Sequence, residues 1–351
     1  VGLLKPSSVM ASVRGVAIFL VVIHHANVDI SGWLLRDMPF AWGIGIFQYA
    51  AVPIFLLCAG LSMSKIAGSR IQLLKAATNY AYIYVLWSLI SILLSAFIAK
   101  SNVSFSADIL ASIRSIAFPR SPLWFPYGLA VMLFCAALFT RCDRRLQFGI
   151  ALAIGFLPMV LHRDIVTNIA CNITFFYIGL LFREKIIRVL SFNPWVLLSV
   201  CLSGYVGLLL VAAWSGVAYF PPVYTLLGTM AFGALVAFWR ALPVPGLYRV
   251  SAKLGRTALP ILLTHDFWIH VIEKTFGHGP IFNMLSEQAP RWFLPLAATV
   301  LAMTMSILTY EALKRFRWLF MAPRSLLLHV SNWLMRIYMA TRGLTVRKAA
   351  P

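Results

Sequence analysis

An arginine and a histidine eleven residues apart in one apolar run are the pair in this sequence with the clearest chemistry. They stand in Ser12-Val13-Arg14-Gly15-Val16-Ala17-Ile18-Phe19-Leu20-Val21-Val22-Ile23-His24-His25. In a helix, eleven steps of about 100° bring the second side chain within about 20° of the first, so Arg14 and His25 share a face. A rise of about 1.5 Å per residue sets His25 roughly 16 Å further along. A guanidinium holds a phosphate or polarises a carbonyl, and an imidazole withdrawn from water acts as a general base toward a hydroxyl. A charge at mid-bilayer costs of order 2.5 to 3.5 kcal/mol on insertion scales, so ionisable groups inside a span usually mark a functional interior. The plainer reading is that Arg14 snorkels to the boundary and His25 satisfies a packed polar contact.

A second candidate follows in Leu254-Gly255-Arg256-Thr257-Ala258-Leu259-Pro260-Ile261-Leu262-Leu263-Thr264-His265-Asp266. His265 lies nine residues past Arg256, roughly 13 Å along a helix, and so approaches the depth of His25. Asp266 is about 100° round the helix from His265 and poorly placed to orient it. Asp29, four residues after His25, is on the same face as that histidine and is the better partner. His24 points elsewhere and reads as structural. His162, His270, His278 and His329 fall near helix ends or in loops, where solvated histidine is ordinary. Trp124 and Tyr127, in Trp124-Phe125-Pro126-Tyr127, form either an interfacial aromatic belt or the mouth of a sugar-binding site.

The elements that must position these groups are membrane spans. Hydrophobic residues make up 61% of the 351 and charged residues only 11%, too few to solvate a globular surface, so a soluble fold is excluded. A bilayer core about 30 Å thick needs about 20 mostly apolar residues per helix. Such windows recur near 12–30, 41–62, 76–99, 122–140, 146–161, 165–183, 195–214, 219–239, 256–275 and 292–313. The expected fold is therefore an all-α polytopic bundle of about ten transmembrane helices. The first window holds His24 and His25 and precedes no small-residue cleavage site, so it reads as a retained helix and not a signal peptide.

Charge placement orients the bundle. With the N-terminus inside, the outer segments hold seven of the 30 Lys and Arg (Arg36, Lys100, Arg114, Arg120, Arg163, Lys274 and Arg291), and the other 23 fall on the inner side. Positive charge in short loops is retained in the cytoplasm, so both termini are expected there. The net charge of +20 is thus a topology signal and a lipid-headgroup contact, and no nucleic-acid partner is expected. Residues 1–320 read as one transmembrane domain and 321–351 as a basic amphipathic cytoplasmic tail, its stretch 324–342 mixing Leu326, Val330, Trp333 and Ile337 with Arg324, Arg336 and Arg342. Cys58, Cys135, Cys142, Cys171 and Cys201 suggest neither a disulfide framework nor a zinc cluster, and no metal is expected.

The run from Arg14-Gly15 to His25 resembles the arginine-to-histidine signature on the first helix of the bacterial acyltransferase-3 family of membrane acyltransferases. Val52-Pro53-Ile54-Phe55-Leu56-Leu57-Cys58-Ala59-Gly60 is similar to its second-helix stretch, although residue 59 is Ala where Ser is common. Leu123-Trp124-Phe125-Pro126-Tyr127 resembles its Leu-Trp-Phe segment, Phe175 through Gly179 its aromatic-to-Gly helix, and Gly255 through His265 its late Gly-to-His helix. The stretch Ala76 to Tyr84 lacks the Arg-rich, Pro-containing start often seen on the third helix. The likeness extends over roughly 10–315.

The resemblance implies transfer of an acyl group, most often acetyl from cytoplasmic acetyl-CoA, to a hydroxyl of an exopolysaccharide, lipopolysaccharide or lipid-linked oligosaccharide in the bacterial inner membrane. Arg14, Arg70 and Lys75 are then expected to hold the donor, and Asp29, Trp124 and Tyr127 the acceptor. His25 activates the hydroxyl or accepts the acyl group transiently, and Arg14, His265 or Tyr and Asn side chains supply donors to the oxyanion. With no extracellular catalytic domain appended, the membrane part is expected to suffice or to work with polysaccharide-assembly proteins. A transporter or flippase for a lipid-linked glycan is the rival reading, but the paired broken helices it predicts are not apparent.

Overall fold

The computed structural model describes residues 6–34, 39–99, 123–159, 165–216, 220–276 and 293–341. Among them the regular structure is helical, with no strand. The helices are α1 (Pro6–Leu34), α2 (Pro39–Met63), α3 (Arg70–Ala99), α4 (Trp124–Leu138), α5 (Arg144–Gly155), α6 (Ile165–Leu181), α7 (Arg183–Leu190), α8 (Pro194–Ser215), α9 (Pro221–Ala241), α10 (Pro245–Arg256), α11 (Ala258–Phe276), α12 (Phe293–Leu313) and α13 (Arg324–Thr341).

Local sequence sets several boundaries. Proline occupies the start of α8, α9 and α10, where its missing N–H is not needed. The Asn193 side chain caps α8 by accepting from the Trp195 and Val196 amides at 2.9 and 3.4 Å, and Gly216, at φ 70°, ends it in the left-handed conformation.

Among the described residues, six helical stretches are long and apolar enough to cross a membrane: Ser7–Val28, Tyr49–Ile66, Arg70–Leu94, Pro194–Ser215, Pro221–Ala241 and Phe293–Leu313. Trp124–Leu138 and Asn168–Leu181 are shorter apolar helices. The expected span at 146–161 is instead the 12-residue α5 followed by a 3-10 turn at Leu157–Met159, because Arg144 and Arg145 open it and Pro158 closes it. The expected span at 256–275 is α11, whose length suits a crossing, but His265, Asp266, His270, Glu273 and Lys274 lower its apolar character. The long loop expected at 100–121 lies outside the described residues.

The chain divides into two compact units, Val1–Ser64 with Phe148–Ala312, and Lys65–Gln147 with Leu313–Pro351. In the first, α1 is the axis, packed against α2, α9, α10 and α11, while α2 also packs on α6 and α9, and α8 lies along α9. Ala17, Ile18, Val22 and Ala26 of α1 are wholly buried, as the contacts around it require. Trp268 of α11 donates its indole N–H to Thr309 Oγ1 of α12 at 3.0 Å.

In the second unit, α3 packs against α4 and α13. The Trp87 indole donates to the Leu319 carbonyl at 2.7 Å, the Tyr82 hydroxyl donates to that of Trp318 at 3.0 Å, and Asn79 Oδ1 accepts from the Ala322 amide at 2.9 Å. The amphipathic segment expected at 324–342 is helix α13.

Candidate active site

Two helices bring the two candidate histidines together. The His25 ring on α1 and the His265 ring on α11 have centroids 5.2 Å apart with planes tilted by 58°, and the His24 ring centroid is 5.6 Å from that of His25. His265 is completely buried, whereas His25 is only partly so. Of the two rings, only that of His25 keeps accessible surface.

The backbone of α11 fixes how His265 presents itself. Its Nδ1 lies 3.0 Å from the carbonyl oxygens of both Ile261 and Leu262. Carbonyls only accept, so Nδ1 carries the hydrogen and donates to them. Nε2 then offers a lone pair, and this atom is buried with no hydrogen-bond partner among the described residues. An acceptor left unsatisfied in the interior costs about 1 to 3 kcal/mol, and such atoms call for a functional account. The neighbouring Thr264 hydroxyl, by contrast, is satisfied by donating to Pro260 at 2.9 Å. In this tautomer His265 presents an acceptor at Nε2.

Arg14 lies partly buried about three turns before His25 on α1, roughly 16 Å along the axis. Its Nε is another buried atom without a hydrogen-bond partner among the described residues, and its charge reaches Cys58, buried on α2. The guanidinium thus marks the far end of the α1 face that leads to His25.

The approach of the two segments depends on glycine. A Cβ at Gly15 would overlap the Ser251 carbonyl oxygen, and a Cβ at Gly255 would overlap that of Ala11. Each glycine therefore lies against the other helix's backbone, and α1 and α10 cross at bare backbone. Ser12 adds a hydroxyl contact to the Tyr248 carbonyl at 3.3 Å. The chain breaks at Thr257, whose amide and hydroxyl both bond to the Lys253 and Leu254 carbonyls, and α11 begins at Ala258.

The remaining expected residues fall elsewhere. Arg70 and Lys75 are in the first two turns of α3, and Trp124 and Tyr127 are in the first turn of α4, all in the second unit. Tyr127 packs its ring 5.1 Å from that of Tyr84. Asp29 belongs to α1, but its side chain lies outside the described residues. Asp266 is half-buried beside His265. Sequence reasoning did not find the backbone anchor of His265 or the crossing partners Ala11 and Ser251. The glycines at 15 and 255 were the only signal for the crossing, since a small residue inside an apolar helix often marks close backbone approach.

The family model of the acyltransferase domain matches residues 11–311, from α1 to nearly the end of α12. The chain belongs to the acyltransferase-3 family. Comparison with curated proteins and with solved structures returns no significant match to either. As a member of the acyltransferase-3 family the chain is a membrane acyltransferase, and the match begins at Ala11, within the crossing that carries Arg14 and His25. The family assignment leaves the rival transporter reading without support.

Proposed function

We propose that this acyltransferase is an O-acetyltransferase, moving acetyl from acetyl-CoA to a hydroxyl of an exopolysaccharide, lipopolysaccharide or related lipid-linked glycan. The observation that carries this reading is the His25–His265 pair, a partly accessible imidazole backed by a buried one whose lone pair has no partner. Its setting is the bacterial inner membrane, with the donor entering from the cytoplasmic side.

In the proposed reaction the acceptor hydroxyl gives its proton to a ring nitrogen of His25 as its oxygen bonds to the thioester carbonyl carbon. The carbon–sulfur bond then breaks, and the coenzyme thiolate leaves and takes up the proton. As His25 takes up the proton, the open His265 Nε2 is in place to accept from the other ring nitrogen of His25 and so stabilise its protonated form, the role a third group commonly plays behind a catalytic base. Arg14 is suited to an anionic or carbonyl group of the donor. Arg70 and Lys75 are assigned to the donor, and Asp29, Trp124 and Tyr127 to the acceptor, from the family resemblance. Polysaccharide-assembly proteins are the expected partners.

The test is His25→Ala in the full chain, produced at normal abundance in a strain lacking the native gene. Removal of a general base is expected to lower acetylation of the surface glycan by roughly 10² to 10⁴-fold, read by mass spectrometry of the released glycan. Wild-type acetylation would rule out this mechanism.

A further inference from the structure

We infer that Gly15 and Gly255 are positioning residues for acyl transfer: by holding α1 and α10 at backbone contact, they place the corner from which α11 carries His265 to His25. The inference rests on the reading of His25 and His265 as the reactive pair. It adds the device that sets their separation.

The geometry begins at the crossing. Gly15 lies against the Ser251 carbonyl and Gly255 against the Ala11 carbonyl, so the residue order along α1 opposes that along α10. Helix α10 therefore runs back along the first turns of α1. At Gly255 the chain is level with Ala11, and ten residues later His265 is beside His25. Between those points α1 advances by fourteen residues, roughly 21 Å, and the other chain by ten, roughly 15 Å. Helix α11 must therefore turn at Thr257 and run along α1 in the same sense, so the place of that turn against α1 sets where His265 arrives. A helix moves largely as one body, so a shift at the base of α11 carries to His265.

The obstacles are rigid. An added methyl at either glycine meets a peptide carbonyl within a helix and not the end of a flexible side chain, so the helices themselves must separate. A shift of about 1 Å at reacting groups can cost about hundredfold in rate.

The same unit supplies a matched control. A Cβ at Gly60 would overlap the Phe176 carbonyl, and a Cβ at Gly179 that of Leu57, so α2 and α6 cross at backbone in the same manner. Neither of those helices carries a member of the histidine pair. If close packing alone explained the glycines, alanine at all four would act alike.

The experiment uses the purified full chain in proteoliposomes, with acetyl-CoA as donor and envelope glycan extracted from a strain lacking the gene as acceptor, and follows thiol release. Per folded molecule, Gly15→Ala and Gly255→Ala are expected to lower kcat about tenfold to hundredfold while KM for acetyl-CoA stays close to wild type. Gly60→Ala and Gly179→Ala are expected to lower the melting temperature but keep kcat per folded molecule. Unchanged kcat in the first pair, or equal loss in all four, overturns the inference. Failure of the functional reading looks different, because His25→Ala then keeps full activity.

Where a variant is too scarce for kinetics, the separation is read without activity. His25→Cys with His265→Cys, in a chain whose five native cysteines are replaced by alanine, is expected to form a disulfide on oxidation in native membranes, and to lose it when Gly255→Ala is added. Equal cross-linking with and without Gly255→Ala also overturns the inference.

Discussion

Within the first unit, the α1–α10–α11 region and the α2–α6–α9 region start from the same device and end in opposite ways. Each has two helices brought to backbone contact by a glycine on either side, and each buries polar side chains. In the α2–α6–α9 region the Tyr224 hydroxyl of α9 donates to Asn172 Oδ1 of α6 at 3.0 Å, and Asn172 Nδ2 donates to the Asn168 carbonyl at 2.8 Å. The Tyr224 ring also stacks edge-on to Phe175 and Tyr49, with centroids 5.4 and 6.4 Å apart. Donors meet acceptors within this network, which gives it the properties of architecture. In the α1–α10–α11 region His265 Nε2 and Arg14 Nε are buried without partners among the described residues. Trp239 Nε1 of α9 is likewise buried without a partner among the described residues, so the difference teaches that neither a tight crossing nor an open polar atom marks a site by itself; an open acceptor beside a second imidazole does.

The largest effect that sharpens this contrast is expected at the open acceptor. His265→Asn keeps an amide N–H able to reach the carbonyls now held by Nδ1, but has nothing in the place of Nε2. We expect kcat about tenfold to hundredfold below wild type, at the low end of general acid–base contributions, with thermal stability nearly retained. Normal turnover by a well-folded His265→Asn protein would remove the distinction between the two regions.

A smaller effect, of opposite kind, is expected in the closed network. Tyr224→Phe leaves Asn172 Oδ1 without its donor, and a lost buried hydrogen bond of this type destabilises by about 1 to 3 kcal/mol. Denaturation in detergent is expected to shift accordingly while kcat per folded molecule stays at the wild-type value. A selective fall in kcat would make Tyr224 part of the chemistry.

The smallest effect is expected one turn beyond the site. His270, on the same helix as His265, is exposed and pairs with Glu273 at 3.1 Å on the helix surface. Exposed ion pairs contribute little, so His270→Ala is expected to change neither acetylation nor melting temperature measurably. Two histidines five residues apart on α11 thus differ in setting: one is enclosed beside His25 of α1, and the other is exposed.

Much of this was legible in the sequence, and the reasons are local. Periodicity and hydropathy gave the helices, and the eleven-residue spacing put Arg14 and His25 on one side of α1. The amphipathic pattern placed α13 at 324–341, close to the stretch expected. The 146–161 window misled because its mean hydropathy hid a break at Pro158. The stretch before Arg256 held a helix that hydropathy did not reveal, because α10 presents a small face of Ser251, Ala252 and Gly255 to α1 and exposes Leu247, Arg249, Val250 and Lys253.

By itself the sequence determined that this chain is a membrane helical protein with an arginine and a histidine aligned on its first helix, since hydrophobicity and a 3.6-residue period act over one or two turns. Only the tertiary structure decided that His265 meets His25, that its Nδ1 is spent on its own backbone, and that Nε2 is left open. These depend on a corner at Thr257 and on two helices whose backbones touch. Such contacts join residues some 240 positions apart, where no local periodicity reaches.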